Sequence, residues 1–190
     1  MARLLLLFAD TGGGHRSAAE ALLEAWQAEH PGRVKAEMVD LFRDYSPFPY
    51  RIADRTYPFS IKYCQGIYSA TFRGSNGPRR VWVIARVSYN YVRPYLRRLL
   101  TEHPADVVVS LHPFFNHWVG WGLRDLGLHV PFLTVVTDLW TGHASWYYPH
   151  AHGIIVPTEE ARARALRYGI APERVWVRGL PVARKFTTNL

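Results

Sequence analysis

The sequence predicts an α/β protein built on a doubly wound, parallel β-sheet. It contains short, continuously apolar segments of the kind that are buried on both faces of a parallel sheet. Segments with helical spacing separate several of them, as expected where helices join parallel strands in right-handed crossovers. The 190 residues, 48% of them hydrophobic, suffice for one domain with a sizeable core.

The first three predicted elements form a β–α–β unit. Leu4–Phe8 is a continuous apolar strand. Ser17–His30 has apolar residues at helical spacing, and the pair Pro31–Gly32 ends the helix. Val34–Val39 is the second strand of the unit.

The second half of the chain continues the alternation. A predicted helix is capped by Thr158, runs to Tyr168 and is ended by Gly169. Four further apolar segments are predicted strands: Asp106–Leu111, Pro131–Thr137, Gly153–Val156 and Val175–Val177.

The segment from Tyr45 to Arg80 interrupts this alternation. Its four prolines and three glycines break any long period, so we expect irregular structure there, followed by a helical pattern over Val81–Leu100. A compact α/β unit seldom carries an insertion of this length without a use for it.

The overall charge indicates an anionic partner. The net charge is +8, from 23 Lys and Arg against 15 Asp and Glu, and nearly all the cations are arginine. Nucleic acid, acidic lipid head groups and phosphorylated substrates are all partners of this kind, although an arginine excess is also common in GC-rich genomes. Cys64 is the only cysteine, which excludes an internal disulfide and fits a reducing cytosol.

The excess of positive charge is concentrated in one part of the chain. Residues 43–98 hold eleven Lys and Arg against two acids, together with twelve aromatic residues. Arginines attract anionic lipid, and Tyr and Trp favour the head-group layer, so residues 45–100 are predicted to face a membrane. Solvated helices over the core are the alternative. The residues predicted to contact the membrane are Arg79, Arg80, Trp82 and Arg86.

The apolar runs and the start of the chain predict a location. No apolar run approaches the ~20 residues that span a bilayer, and the first strand begins too early for a signal peptide. We therefore expect a cytoplasmic protein that is peripheral on the inner face of a bacterial plasma membrane.

A glycine-rich loop joins the first strand to the first helix in "RLLLLFADTGGGHRSAAEALLEAW". Gly12, Gly13 and Gly14 let the backbone approach a ligand, and the N-terminus of the next helix favours a phosphate. His15 is placed to face the same crevice, where a neutral imidazole is suited to act as a general base. The loop matches neither G-x-x-x-x-G-K-[ST] nor G-x-G-x-x-G. A tight turn with a packing histidine is the alternative.

Other polar residues follow later strands at the same edge of the sheet. His112 and Pro113 come directly after "DVVVSL", and Asp138 closes "LTVVTD". Asp138 is a candidate for orienting a histidine or for binding a polar substrate group, and capping is its alternative role. His143 and Trp146 follow in an H-x-x-W segment. No histidine pair shows H-E-x-x-H spacing, so no metal site is predicted.

The glycine loop resembles the amino-terminal signature of the family of monogalactosyldiacylglycerol synthases and related diacylglycerol glycosyltransferases. The resemblance continues in register to about Phe186. These enzymes have the GT-B fold of two Rossmann-like domains and are similar to the enzyme that adds N-acetylglucosamine to the peptidoglycan lipid precursor. The further matching segments are "DVVVSLHPFFNH", "FLTVVTDLWTGHASWYYP", "IIVPTEEARARALRYGI" and "VWVRGLPVARKF".

The resemblance implies that residues 1–190 form the amino-terminal, acceptor-binding Rossmann-like domain, one half of a GT-B fold. The reaction would transfer galactose or glucose from UDP-galactose or UDP-glucose to diacylglycerol, with no metal or other cofactor. The carboxy-terminal, donor-binding domain is expected to be missing, so this chain alone should show little or no turnover.

The resemblance also implies roles for the candidate residues. His15 is the expected base, with Asp138 as the second catalytic residue, and Gly12–Gly14 with His15 face the donor. The residues expected to frame the acceptor are His112, Pro113, His143 and Trp146.

Two other functions stay open. One keeps the chemistry but uses a polyprenyl-diphosphate-linked sugar as acceptor, and the other is a non-catalytic module that binds anionic lipid. Nucleic-acid binding is disfavoured because the chain contains no recognised nucleic-acid-binding pattern.

Overall fold

The computed structural model describes residues 1–140 and 142–186, and within them the sheet is parallel throughout. The predicted domain extends to residue 190, and its last four residues lie outside the described ones. The strand order is β2-β1-β3-β4-β5-β6. The six strands are β1 (Ala2–Phe8), β2 (Val34–Asp40), β3 (Val107–Ser110), β4 (Phe132–Val135), β5 (Gly153–Val156) and β6 (Val175–Val177).

Helices connect the strands and cover both faces of the sheet, so the predicted fold class is confirmed. Short 3₁₀ turns supplement them, including one at Tyr50–Ile52 and one at Ala144–Trp146. The helices are α1 (Gly14–Glu29), α2 (Leu41–Tyr45), α3 (Ala53–Tyr63), α4 (Gln65–Ser75), α5 (Pro78–Glu102), α6 (Asn116–Asp125) and α7 (Glu159–Arg167).

The apolar run of β1 is explained by burial on both faces. Leu6 and Phe8 pack with residues of α1 on one face, whereas Leu5 and Leu7 belong to the larger core on the other face, with residues of α5 and α6. Successive side chains of a strand point to opposite faces, so burial on both sides explains why Leu4–Phe8 is apolar at every position.

The topology places a crevice beside β1. The chain leaves β1 through α1 to reach β2 on one side, and β3 lies on the other side. Ligands of open α/β sheets bind at such a switch point, outside the carboxyl ends of the strands. The loops after β1, β3 and β4 therefore meet at one edge.

The expectation of irregular structure over residues 45–80 is wrong. The segment contains the 3₁₀ turn at Tyr50–Ile52 and then α3 and α4, which form a helical hairpin. Pro58 lies inside α3, and neither helix has a buried residue. Proline lowers the intrinsic helix propensity, but docking of the hairpin onto the body of the domain outweighs it, as tertiary contacts commonly do.

Two other differences concern helix boundaries and existence. Helix α1 begins at Gly14 rather than at Ser17, which places His15 in its first turn. Helix α6 was not predicted, because Gly120 and Gly122 lower its apparent helix propensity. A Cβ atom on Gly122 would lie 3.4 Å from Leu100 Cδ1, so this glycine allows close packing of α6 against α5.

Replacing Gly120 by alanine is expected to destabilise the domain by about 1–3 kcal/mol. A Cβ atom there would lie 2.3 Å from the ring of Tyr148, which is itself buried. Gly74→Ala in α4 is the matched control, since its Cβ would meet nothing within 4 Å. Urea unfolding followed by circular dichroism measures both, and equal stability of the two variants would contradict the packing described.

Candidate active site

The loop after β1 makes a left-handed turn into α1. Gly12 and Gly13 have φ angles of 92° and 82°, which only glycine adopts without strain. Gly13 is the N-cap of α1, and no side chain caps this end. The first-turn amide groups of α1 and the positive end of its dipole are therefore open to an anion at the edge of the sheet.

His15 lies at the centre of this edge. Its Nδ1 atom is 3.0 Å from Thr137 Oγ1, and its ring meets that of His112 edge to face, with 4.7 Å between the centroids. Burial lowers the pKa of His15 below its usual value. The negative charge of Asp138 and a hydrogen bond to the Leu111 backbone act in the opposite direction but are the smaller effects. At neutral pH the imidazole is therefore uncharged and keeps a lone pair, as a general base requires.

Asp138 is held by a tryptophan behind the site. Trp146 Nε1 donates a hydrogen bond of 2.7 Å to Asp138 Oδ2, and the Trp146 side chain is fully buried. A Cβ atom on Gly142 would lie only 3.2 Å from the indole, so the turn closes tightly around it. The indole therefore fixes one carboxylate oxygen of Asp138 near His15.

His112 is buried directly beneath this edge. The amide of Phe114 points to its Nδ1 atom at 3.4 Å, and Thr11 Oγ1 lies 3.3 Å from Nε2. Burial, with a smaller effect of His15, lowers the pKa of His112 well below its usual value. Pro113 follows at the start of a short 3₁₀ turn. The imidazole is thus a second neutral ring in contact with His15.

Both ring nitrogens of His143 are hydrogen-bonded. Nε2 lies 3.1 Å from Ser75 Oγ, and Nδ1 lies 2.8 Å from Ser145 Oγ. The adjacent amide of Ala144 donates to Asn76 Oδ1 at 3.0 Å. These bonds fasten the carboxyl end of α4 to the loop after β4, and we call them the latch. Burial lowers the pKa of His143 as well.

A cavity of about 400 Å³ lies between this edge and the α3–α4 hairpin. Its walls include five of the predicted site residues: His15, His112, Pro113, Asp138 and His143. Trp146 lies behind the cavity rather than in its wall, and its predicted contact with an acceptor stays a prediction. Sequence reasoning missed the walls from α3 and α4, for which aromatic content was the only signal: Tyr57, Tyr68 and Phe72.

The four residues predicted to contact a membrane all lie on α5, and Arg79, Arg80, Trp82 and Arg86 are exposed there. No cluster of three metal-ligating side chains occurs among the residues that the structure describes. The predicted absence of a metal stays a prediction.

Comparison with known proteins identifies the family. A family model described as "Monogalactosyldiacylglycerol (MGDG) synthase" matches residues 15–182. The chain belongs to the MGDG synthase family. It is 34% identical over 189 residues to a probable MGDG synthase 2 of Oryza sativa subsp. indica, with 96% of this chain and 39% of that protein covered. It is 32% identical to MGDG synthase 2 of Arabidopsis thaliana, with the same shares covered. The chain thus spans about two fifths of the length of these curated relatives.

A solved structure supports the fold. Acinetobacter baumannii MurG superposes with a TM-score of 0.51 at 12% sequence identity, over 94% of this chain and 45% of MurG. This likeness extends to nearly the whole chain and to less than half of MurG. It agrees with the predicted Rossmann-like half of a GT-B fold.

The expected bacterial location is wrong. The curated MGDG synthases that the chain matches are described as chloroplastic proteins of plants such as Oryza sativa, Arabidopsis thaliana and Spinacia oleracea. The expectation failed because arginine and aromatic side chains indicate only attraction to an anionic surface. They carry no information about the compartment in which that surface lies. None of the helices within residues 1–140 and 142–186 combines the length and the apolar composition of a membrane-spanning segment.

Asp138→Asn is expected to lower the pKa of His15 further. The Asp138 charge favours the imidazolium form, so its removal disfavours protonation, while the amide oxygen can still accept from Trp146. An NMR titration of the imidazole signals measures the shift. Asp125→Asn is the control, since Asp125 pairs with Arg93 away from the site. An unchanged or raised pKa of His15 would show that the two groups are not coupled.

Proposed function

We propose that this chain is the acceptor-binding half of a glycosyltransferase. The enzyme transfers galactose or glucose from a UDP-sugar to the free hydroxyl of diacylglycerol at a membrane surface. Membership of the MGDG synthase family supports the reaction class. The observation that carries the proposal is the position of His15, in the first turn of α1 and in the wall of a largely apolar cavity, where burial lowers its pKa.

The cavity suits an amphiphilic acceptor. Aromatic side chains from the α3–α4 hairpin and the side chain of Phe42 line much of it. They provide apolar surface against which the glycerol backbone and the first part of an acyl chain can pack. The polar groups of His15 and Asp138 lie together in another part of the wall. An acceptor hydroxyl placed there would meet its base while its chains lie against apolar walls.

The chemistry follows from this placement. His15 takes the proton of the acceptor hydroxyl as its oxygen attacks the anomeric carbon of the sugar and the bond to UDP breaks. Asp138 stabilises the imidazolium that forms, because its charge already favours that state. The uncapped amides of α1, reached through Gly12–Gly14, face the negative charge that develops on the departing diphosphate. No metal or other cofactor is needed for these steps.

The remaining length of the curated relatives is proposed to carry the donor-binding domain. This chain covers 39% of the Oryza protein, so a second domain of similar size fits in what remains. Such a domain would supply the contacts to the nucleotide and the sugar, and the catalytic edge would be complete only when it is present.

A continuous membrane face is proposed on the hairpin and α5. Between residues 45 and 92, no Lys or Arg forms an ion pair with an acid in the part of the chain that the structure describes. Unpaired cations among exposed apolar side chains are typical of an interfacial surface. The large apolar side chains exposed in this region are Phe48, Phe59, Ile61, Tyr63, Ile67, Trp82, Val83, Ile84, Val87 and Tyr91.

His15→Gln is expected to lower kcat/KM by about 10²–10⁴-fold, since the general base is lost. The assay follows radiolabelled hexose from UDP-galactose or UDP-glucose into lipid, by this domain together with the proposed donor-binding half. His30→Gln is the control, because His30 lies at the opposite end of α1.

Three outcomes would contradict parts of the proposal. A His15→Gln enzyme with the unchanged rate would exclude His15 as the base. Transfer of label to a polyprenyl-diphosphate-linked sugar instead of diacylglycerol would show that the acceptor is the polyprenyl-linked sugar. Transfer to neither lipid would leave a non-catalytic lipid-binding module.

The triple variant R79A/R80A/R86A is expected to bind anionic vesicles roughly 100-fold more weakly, at about 1 kcal/mol per arginine. Flotation with neutral and anionic vesicles, over a salt series, measures the difference. The control variant R33A/R167A/R178A removes the same charge from exposed positions outside residues 45–100. Equal losses in both variants would indicate diffuse attraction rather than a membrane face, and Trp82→Ala tests the apolar part separately.

A further inference from the structure

A second cavity, of about 480 Å³, opens between α5 and α6. We call it the α5–α6 cleft. The proposed acceptor site is the cavity of about 400 Å³ beside His15, and we call it the acceptor cavity. The chain segment 142–148 lies between the two cavities, since His143 lines the acceptor cavity while Ala144 and Tyr147 line the cleft. The cleft shares no lining residue with the acceptor cavity and takes no part in the chemistry above.

Arginines outnumber acids in the cleft. Arg86, Arg93 and Arg124 line it, with the rings of His117 and His150, against one carboxylate. That carboxylate, Asp125, already accepts the Tyr89 hydroxyl at 2.9 Å and pairs with Arg93 at 3.0 Å.

The other arginines of the cleft lack such partners. Within residues 1–140 and 142–186, the guanidinium groups of Arg86 and Arg124 form no ion pair. Both residues are exposed at the cleft, on α5 and α6 respectively. Two planar donor groups are thus left available to a common ligand.

A buried histidine adds a donor to the floor of the cleft. His117 is 7% exposed, and its ring packs against Trp121 and Tyr148. No side-chain hydrogen bond joins its ring to a described residue, and its ring nitrogens are not among the fully buried, unpaired polar atoms of the described residues. Burial, followed by the charge of His150, lowers the pKa of His117 to about 4, so the neutral ring offers one N–H group.

We propose that the α5–α6 cleft binds a phosphate group, with Arg86 and Arg124 as ligands at its mouth and His117 at its floor. Guanidinium groups bind phosphate oxygens through paired, charge-assisted hydrogen bonds. Trp82 and Trp121 add apolar surface beside these donors, which suits the organic part of a phosphate ester. The ligand is either the head group of a membrane lipid or a soluble phosphate compound.

Isothermal titration with inorganic phosphate and with glycerol 3-phosphate tests the site. We expect saturable binding at one site per chain and a Kd at least ten-fold higher for Arg124→Ala. Arg167→Ala is the matched control, because Arg167 is an exposed arginine outside both the cleft and residues 45–100, and its Kd should stay within two-fold of the wild type. Circular dichroism confirms that each variant is folded.

Flotation with vesicles that contain an anionic phospholipid then separates the two sources. Weaker flotation of Arg124→Ala than of Arg167→Ala identifies a lipid head group, and equal flotation identifies a soluble phosphate compound. Absence of saturable binding with both soluble probes overturns the site, as does an equal loss in the two variants. The titrations use neither membrane nor sugar donor, so their failure is distinct from failure of the proposed function.

Discussion

The left-handed turn at Gly12 and Gly13 is the constraint on which the site depends. Strand β1 is fixed between β2 and β3, and α1 is fixed against it by small side chains such as Ala18 and Ala19. Two residues with positive φ must therefore turn the chain from strand into helix within a few positions. This turn places His15 at the switch point and leaves the first amides of α1 uncapped.

The electrostatics of the site follow from that placement. The half-buried ring of His15 contacts the buried ring of His112, where two imidazolium ions would repel and where either would lose hydration. Burial therefore keeps both rings neutral, while the Asp138 charge moderates the effect at His15 alone. One histidine is thus poised to accept a proton and the other is not. The buried Trp146 maintains this difference by holding the Asp138 carboxylate in place.

Local pattern was sufficient for the sheet and for one edge of the site. Each buried strand was an apolar run, and the polar residues that end β1, β3 and β4 had to meet because the strands are parallel. The position of the α3–α4 hairpin over the cavity could not be predicted from the sequence. The latch that holds it joins Ser75 to His143 across 68 positions, and no local pattern encodes such a contact. Pro58 and the glycines lower the apparent helix propensity of α3, α4 and α6, so these helices were not predicted. The α5–α6 cleft, which needs α6, could therefore not be predicted either.

The hairpin of α3 and α4 has an unusual relation to the core. It covers the cavity beside His15, yet neither helix has a buried residue, and the latch from Ser75 and Asn76 fixes one end of it. Segments with few buried apolar contacts open at a small fraction of the global unfolding free energy. The hairpin therefore adds little to the hydrophobic core, and its local opening would cost less than unfolding of the sheet and would uncover the cavity. The domain thus joins a well-packed sheet edge to a cover that has no buried side chain in its two helices.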